Sequence, residues 1–307
     1  MNKIIDPRRC VWREHPANPM ISPPGYWEWI IADPSLVMPN DSPDGCFHLF
    51  ANSLQGIHHY ISDDGADWRR LATPIKPGLR PWVMKDDGVY YIFTENFNPF
   101  RGSFIEVRQS HDLRRWSDPT RVLSPQYSWE KSFLATNGNA CVVKYEGKYR
   151  LYFSAALVWL KDCNFPEPKY IGVGQSDNIF GPYEKHPEPI VCPARDPFWR
   201  NLGAGSMKVM APRGRLPWLA FNNGIYIDSD GHSRSEIRLL ESDDGYDWRE
   251  VHDKPLVAPE PEGWKKALVY AMDVKVHGDE YYMYFNARDG WMFGRERIGL
   301  AIGTIPG

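Results

Sequence analysis

Several things are scarce in this chain of 307 residues. Cysteine is one. The five thiols (Cys10, Cys46, Cys141, Cys163, Cys192) are odd in number and form no CxxC pair, which argues against a disulfide framework or a zinc knuckle. The nine histidines show no metal-binding spacing, and His58 and His59, adjacent in one expected strand, point to opposite faces and cannot hold one ion. No metal ligand is therefore read from the sequence. No apolar stretch approaches the roughly 20 residues that a membrane helix needs. The opening MNKIIDPRRCVWREHP is broken by charge and proline, so no signal peptide is expected, and with free thiols this points to the cytoplasm. There is no basic block either. Thirty-six Lys and Arg against 39 Asp and Glu leave a net charge of −3 with the signs interspersed, so neither nucleic acid nor an anionic membrane is an expected partner.

What is abundant is aromatic and turn-forming. Thirteen Trp, 16 Tyr and 14 Phe accompany 25 Gly and 27 Pro, in a chain whose 42% hydrophobic content is too high for disorder. This describes a globule punctuated by many turns. The punctuation is periodic. Four segments share an Ile, four residues and a Ser: Ile57 to Ser62, Ile105 to Ser110, Ile171 to Ser176 and Ile237 to Ser242. A Trp follows six residues later at Trp68, Trp116 and Trp248, and Tyr183 takes that role in the remaining copy. Upstream lies a second shared unit, a turn and then an aromatic strand: DGCFHLF, DDGVYYIF, YEGKYRLYF, PRGRLPWLAF and HGDEYYMYF.

Each repeat thus reads as strand, turn, aromatic strand, loop, Ile strand, turn, Trp strand. Four short antiparallel strands per repeat describe a propeller blade. The fifth copy, with Ile298 in RIGLAIG, lacks its last strand. VWREHPANPMISP around Trp12 matches DWREVHDKPLVAP around Trp248, so the N-terminal segment is expected to complete the fifth blade. The expected fold is all-β, a five-bladed β-propeller of four antiparallel strands per blade, with residues 1–307 as one domain.

These residues carry a resemblance. Five blades, Ala32-Asp33-Pro34-Ser35 opening the first, and a last blade reading MYFNARDG and then RIGLAIG resemble the five-bladed β-propeller glycosidases: the arabinanase and xylosidase, invertase and levanase, and mannoside phosphorylase families. The resemblance implies a carbohydrate-active enzyme with Asp33 where those families keep their base or nucleophile. It also implies an acid Glu at the position of Asn137, and an amide cannot donate a catalytic proton. Glu130 and Asp196 are the replacement acids, with Asp273 and Glu95 behind them.

Propeller geometry places the loops leading into each first strand, and those between second and third strands, on one face. Trp and Arg there suit sugar, whose C–H faces stack on indole while hydroxyls take hydrogen bonds. Trp29, Arg80, Glu95, Trp129, Asn137, Asn139, Asp273 and Arg288 are the expected binding residues. Seven Trp residues outside the repeat (27, 29, 129, 159, 199, 264 and 291) share that face. Basic residues Arg101, Arg195, Arg200, Lys265 and Lys266 join Arg80 on it, but exposed loops carry such residues anyway, and an anionic sugar is not inferred.

A glycoside hydrolase acting on a small carbohydrate is the expected activity. A phosphate-dependent phosphorylase and a non-catalytic sugar-binding propeller are the alternatives. No cofactor is required, although a calcium or sodium ion could sit in the channel. The sugar, the linkage and the oligomeric state are not legible.

Overall fold

A computed structural model of the chain describes residues 4–25, 27–71, 75–196 and 198–306. Among the described residues, twenty strands make five four-stranded antiparallel sheets. Strand β1 (Val11–Glu14) precedes the first blade, which holds β2 (Ala32–Val37), β3 (Phe47–Ser53), β4 (Gly56–Ser62) and β5 (Arg69–Arg70). The second holds β6 (Leu79–Asp86), β7 (Val89–Asn98), β8 (Gly102–Ser110) and β9 (Thr120–Leu123). The third holds β10 (Asn137–Tyr145), β11 (Lys148–Leu160), β12 (Phe165–Ser176) and β13 (Glu184–Lys185). The fourth holds β14 (Met207–Met210), β15 (Trp218–Ile227), β16 (Ser233–Ser242) and β17 (Arg249–Glu250). The fifth is β18 (Leu268–His277), β19 (Glu280–Arg288) and β20 (Glu296–Thr304), completed by β1 with Trp12 opposite Gly303. No helix among the described residues is long and apolar enough to cross a membrane.

The repeat residues explain why each blade forms and why the blades adhere. Ile57, Ile105, Ile171, Ile237 and Ile298 are wholly buried at the upper end of the third strands. There each pairs with an apolar residue from the outermost part of its blade: Ile75, Leu123, Val191, Val257 and Ile21. At the lower end the Ser hydroxyl organises the turn. Ser62 Oγ accepts from the N–H groups of Asp64 and Gly65, and Asp64 accepts from those of Ala66 and Asp67. The same bonds recur at Ser242 and Asp244.

In the four blades that have one, the outer Trp then lies edge-on against an aromatic second strand of the neighbour. Trp68 meets Tyr284 at 5.6 Å, Trp116 meets Phe50 at 5.8 Å, Trp248 meets Tyr152 at 6.3 Å and Trp12 meets Phe221 at 5.7 Å. Such T-shaped pairs contribute about 0.5–1.5 kcal/mol each beyond the area they bury. The recurring aromatics of the composition are therefore the cement between blades.

Candidate active site

The innermost strands line the channel, and their ladders slip at the upper end. The register skips between Ala32 and Ser35, Leu79 and Trp82, Gly138 and Cys141, and Val269 and Met272. Each slip is a β-bulge, which re-aims a side chain out of the strict alternation. The first bulged residues are Asp33, Arg80, Asn139 and Tyr270, and all four line one cavity at the channel mouth. Asp33 (φ 54°), Arg80 (φ 50°) and Asn139 (φ 49°) are left-handed, at a cost of roughly 1–2 kcal/mol each for a residue with a Cβ. In the fourth blade Gly205 (φ 60°) takes this place, because a Cβ there would meet the Asn223 carbonyl oxygen at 1.9 Å.

Asparagines on the second strands hold the strained backbone. The Asp33 N–H donates to Asn286 Oδ1 (3.1 Å) and the Arg80 N–H to Asn52 Oδ1 (2.7 Å), each bond crossing from one blade to the next. The amide of Asn52 also donates to the Asp33 carboxylate.

The cavity, of about 480 Å³, is rich in acid. Asp33, Glu167 and Glu296 line it with Arg80 and Arg288. Arg80 is paired with buried Glu95 at 2.7 Å, and Arg288 with Glu296 at 2.9 Å. Glu167 has no ion-pair or hydrogen-bond partner among the described residues, so its carboxyl is uncommitted. Burial pushes it up to about 8, reinforced by the charges of Glu296 and Asp33 and opposed by Arg80 and Arg288. Burial raises Asp33 as well, against Arg80, Lys208 and the Asn52 hydrogen bond, which favour its charged form. Glu296 is raised by burial despite Arg288, and the Tyr270 hydroxyl is held well above its ordinary range by burial and both glutamates. These groups feel one another's charge, so they titrate as a cluster.

The structure brings Asp33, Arg80, Asn139 and Arg288 to this cavity, with Glu95 behind Arg80. It does not bring the expected replacement acids. Glu130 is wholly buried outside the cavity, ion-paired with Lys185, and accepts from the N–H of Gln126, the N–H of Tyr127 and the amide of Asn137. Asn137 also accepts from Lys185 (2.9 Å), so the presumed acid position belongs to a closed buried network. Asp196 is exposed on the loop before the fourth blade. Asp273 lies deeper in the channel, accepting the Leu36 N–H at 2.7 Å, with Lys275 at 3.4 Å. Trp129 stacks between Tyr127 and Phe153, its indole N–H spent on the Pro187 carbonyl. Trp29 is exposed beside the cavity, and its carbonyl accepts the Glu296 N–H at 2.8 Å.

None of the seven expected tryptophans lines the cavity. Trp199 and Trp264 are packing residues, and Trp291 is stacked on His232 with its indole N–H on the Ser233 carbonyl. The apolar wall consists instead of residues such as Leu54, Phe165, Met292 and Phe293. Glu167, Glu296 and Tyr270 escaped the sequence reading. The signal for the two glutamates was their place four residues before Ile171 and two before Ile298, at the upper end of a third strand.

The channel below is lined by cations as well as acid. The ammonium groups of Lys208 and Lys275 lie over the Trp82 ring at 4.7 and 4.1 Å, with Asp273 as the nearby carboxylate; a calcium or sodium ion there would need several oxygen ligands. Among the described residues no three His, Cys, Asp or Glu side chains are grouped to hold a metal.

No family model matches the sequence, and no curated protein does. Solved structures do match. The catalytic domain of a family 62 α-L-arabinofuranosidase from Coprinopsis cinerea superposes with a TM-score of 0.71 at 16% identity, covering 97% of this chain and 98% of that one. The β-1,2-mannobiose phosphorylase from Listeria innocua gives 0.65 at 12%, covering 94% and 96%. An N-acetylgalactosamine deacetylase from F. plautii gives 0.61 at 14%, covering 95% of each chain. The three names describe three chemistries, so the activity has to be argued from the site. At these identities the likeness establishes the architecture: the chain is a five-bladed β-propeller of the kind these matched structures share.

Proposed function

We propose that the protein is a glycoside hydrolase whose chemistry runs between Asp33 and Glu167 at the upper channel mouth. The observation that carries this reading is the uncommitted Glu167 carboxyl, raised to about 8 in a cavity that also holds Asp33. Glycoside hydrolysis needs one carboxylic acid to protonate the leaving oxygen and one carboxylate to act as base or nucleophile. Environments that push two carboxyls apart assign the roles. Glu167, protonated at neutral pH, donates to the glycosidic oxygen. Asp33, whose charged form is favoured by Arg80, Lys208 and the Asn52 side chain against the effect of burial, is assigned the part of the group that activates water or attacks the anomeric carbon.

Both cavity arginines are already in ion pairs, which supports water over phosphate as the acceptor. A panel of nitrophenyl glycosides, assayed with and without phosphate for the wild type and Asp33→Asn, tests the reading. Phosphate-independent release that disappears in Asp33→Asn is expected. Strict phosphate dependence would transfer the site to a phosphorylase, and sugar binding without turnover would leave a binding protein.

A further inference from the structure

Three apolar side chains on the cavity wall are conspicuously open to solvent: Leu54 is 87% exposed, Phe293 81% and Met292 48%. They come from two loops of adjacent blades, the β3–β4 hairpin and the segment between β19 and β20. Both loops are tied down. In the hairpin, Ser53 Oγ accepts the Gln55 N–H (3.0 Å) and is hydrogen-bonded to His58 Nε2 (2.8 Å), with Ser53 and His58 both buried. The Gln55 amide reaches across to Glu28.

In the other loop the Arg288 guanidinium donates to the carbonyls of Gly290 (2.8 Å) and Trp291 (3.0 Å), while Asp289 accepts the Arg295 N–H (2.7 Å) and pairs with Arg297 (2.9 Å). The loop folds back so closely that a Cβ on Gly294 would lie 2.0 Å from the Gly290 carbonyl oxygen. The three side chains are thus presented to water on fixed arms, against a hydrophobic cost that grows with the apolar area left exposed. Single exposed apolar residues need no explanation, but convergence on one cavity does.

We infer that Leu54, Met292 and Phe293 form a leaving-group subsite for an apolar aglycone, aryl or alkyl, making the substrate class a glycoside of such an alcohol. None of the three side chains offers a hydrogen bond. A second sugar ring could lay a C–H face on this wall but would find no hydrogen-bond partner for its hydroxyls on these three side chains, whereas a hydrocarbon group needs none. The inference rests on the proposed hydrolase for the word leaving-group, but the preference for an apolar substituent is a matter of binding alone.

The test is therefore a binding measurement in the Asp33→Asn background. Each sugar of the panel is titrated calorimetrically as its 4-nitrophenyl and its methyl glycoside. For the sugar bound best, the nitrophenyl form is expected to bind about tenfold tighter or more. Adding Phe293→Ala with Leu54→Ala should weaken nitrophenyl binding by about tenfold and methyl binding by less than about threefold, with Phe293→Leu retaining most of the preference. Both positions are exposed, so the variants should fold, and a thermal melt checks this.

Equal affinity for the two forms, equal weakening of both by the double substitution, or no binding of any nitrophenyl glycoside overturns the subsite. Wild-type protein that shows the preference yet turns nothing over overturns the hydrolase and leaves the subsite standing. Turnover without the preference does the reverse.

Discussion

The channel has two mouths, and the larger is the lower one, a cavity of about 800 Å³ against about 480 Å³ above. Volume alone would select the lower end. The lower mouth is bounded by regular ladders that run unbroken into tight turns, as at Asp86 opposite Val89 and Tyr145 opposite Lys148. The turn residues Asp87 and Gly88 (φ 47° and 78°), like Glu146 and Gly147 (φ 49° and 78°), have the paired positive φ that suits the strand twist. Some of its charges are in closed pairs, such as Lys144 with Asp86 at 2.9 Å. At the upper mouth the same strands are bulged, non-glycine residues are held left-handed within the strands rather than in turns, and three carboxyls share one cavity. Local rules are obeyed at one end and broken at the other, and the broken end is where function is expected to reside.

If that contrast is correct, changes above should remove activity and spare stability, and changes below should do the opposite. The largest effect is expected from Asp33→Asn, a loss of turnover of about 10³-fold or more. Asn tolerates the left-handed backbone, so the melting temperature should hardly move. Glu130→Ala probes a residue on the upper side but outside the cavity. It strips the counter-charge from buried Lys185 and should cost about 3–5 kcal/mol in urea unfolding, with turnover per folded molecule unchanged. A loss of turnover without loss of stability would return Glu130 to the catalytic role.

Glu167→Gln comes next, with an expected fall of about 10²-fold in kcat. The wild type should lose activity as pH rises through about 8, where Glu167 gives up its proton, and the variant should lack that limb. Stability follows with a definite sign. A carboxyl raised by folding binds more protons in the folded state, so its contribution is complete below its ordinary range and disappears as pH rises through about 8. Thermal melts across that window should decline less steeply in Glu167→Gln. The smallest effect is expected below: Gly88→Ala puts a Cβ on a left-handed residue with open space around it, costing about 1–2 kcal/mol and no activity.

The fold was legible because a blade is a local pattern that recurs. Ile57 and its counterparts are buried for the same reason five times over, so five weak signals become one strong signal. The site was legible where it is carried by the repeat's own frame: Asp33, Arg80 and Asn139 stand at equivalent bulges, and Arg288 ends a second strand. It was illegible where chain length departs from the repeat. Glu167 sits on the overhang of β11 and β12, whose ladder continues beyond Ile171 to Leu160 opposite Phe165, and nothing in Phe165-Pro166-Glu167-Pro168 announces that extension. Glu130 lies outside the cavity for a different reason. Its loop does lie on the upper side, but the Lys185 that neutralises it comes from β13, a distant partner that no local spacing reveals.

The way the fifth blade is assembled also sets the order in which this protein can come into being. The Asn18 amide bonds the Leu300 carbonyl across 282 positions of sequence, beside the pairing of β1 with β20. On a ribosome, β1 emerges before β2 and must wait, unpaired, until β20 has followed. Four blades can mature in sequence from short-range hairpins, while the fifth depends on the longest closure the chain contains. The nascent protein is therefore an open arc with a bare strand at one end and a bare edge at the other.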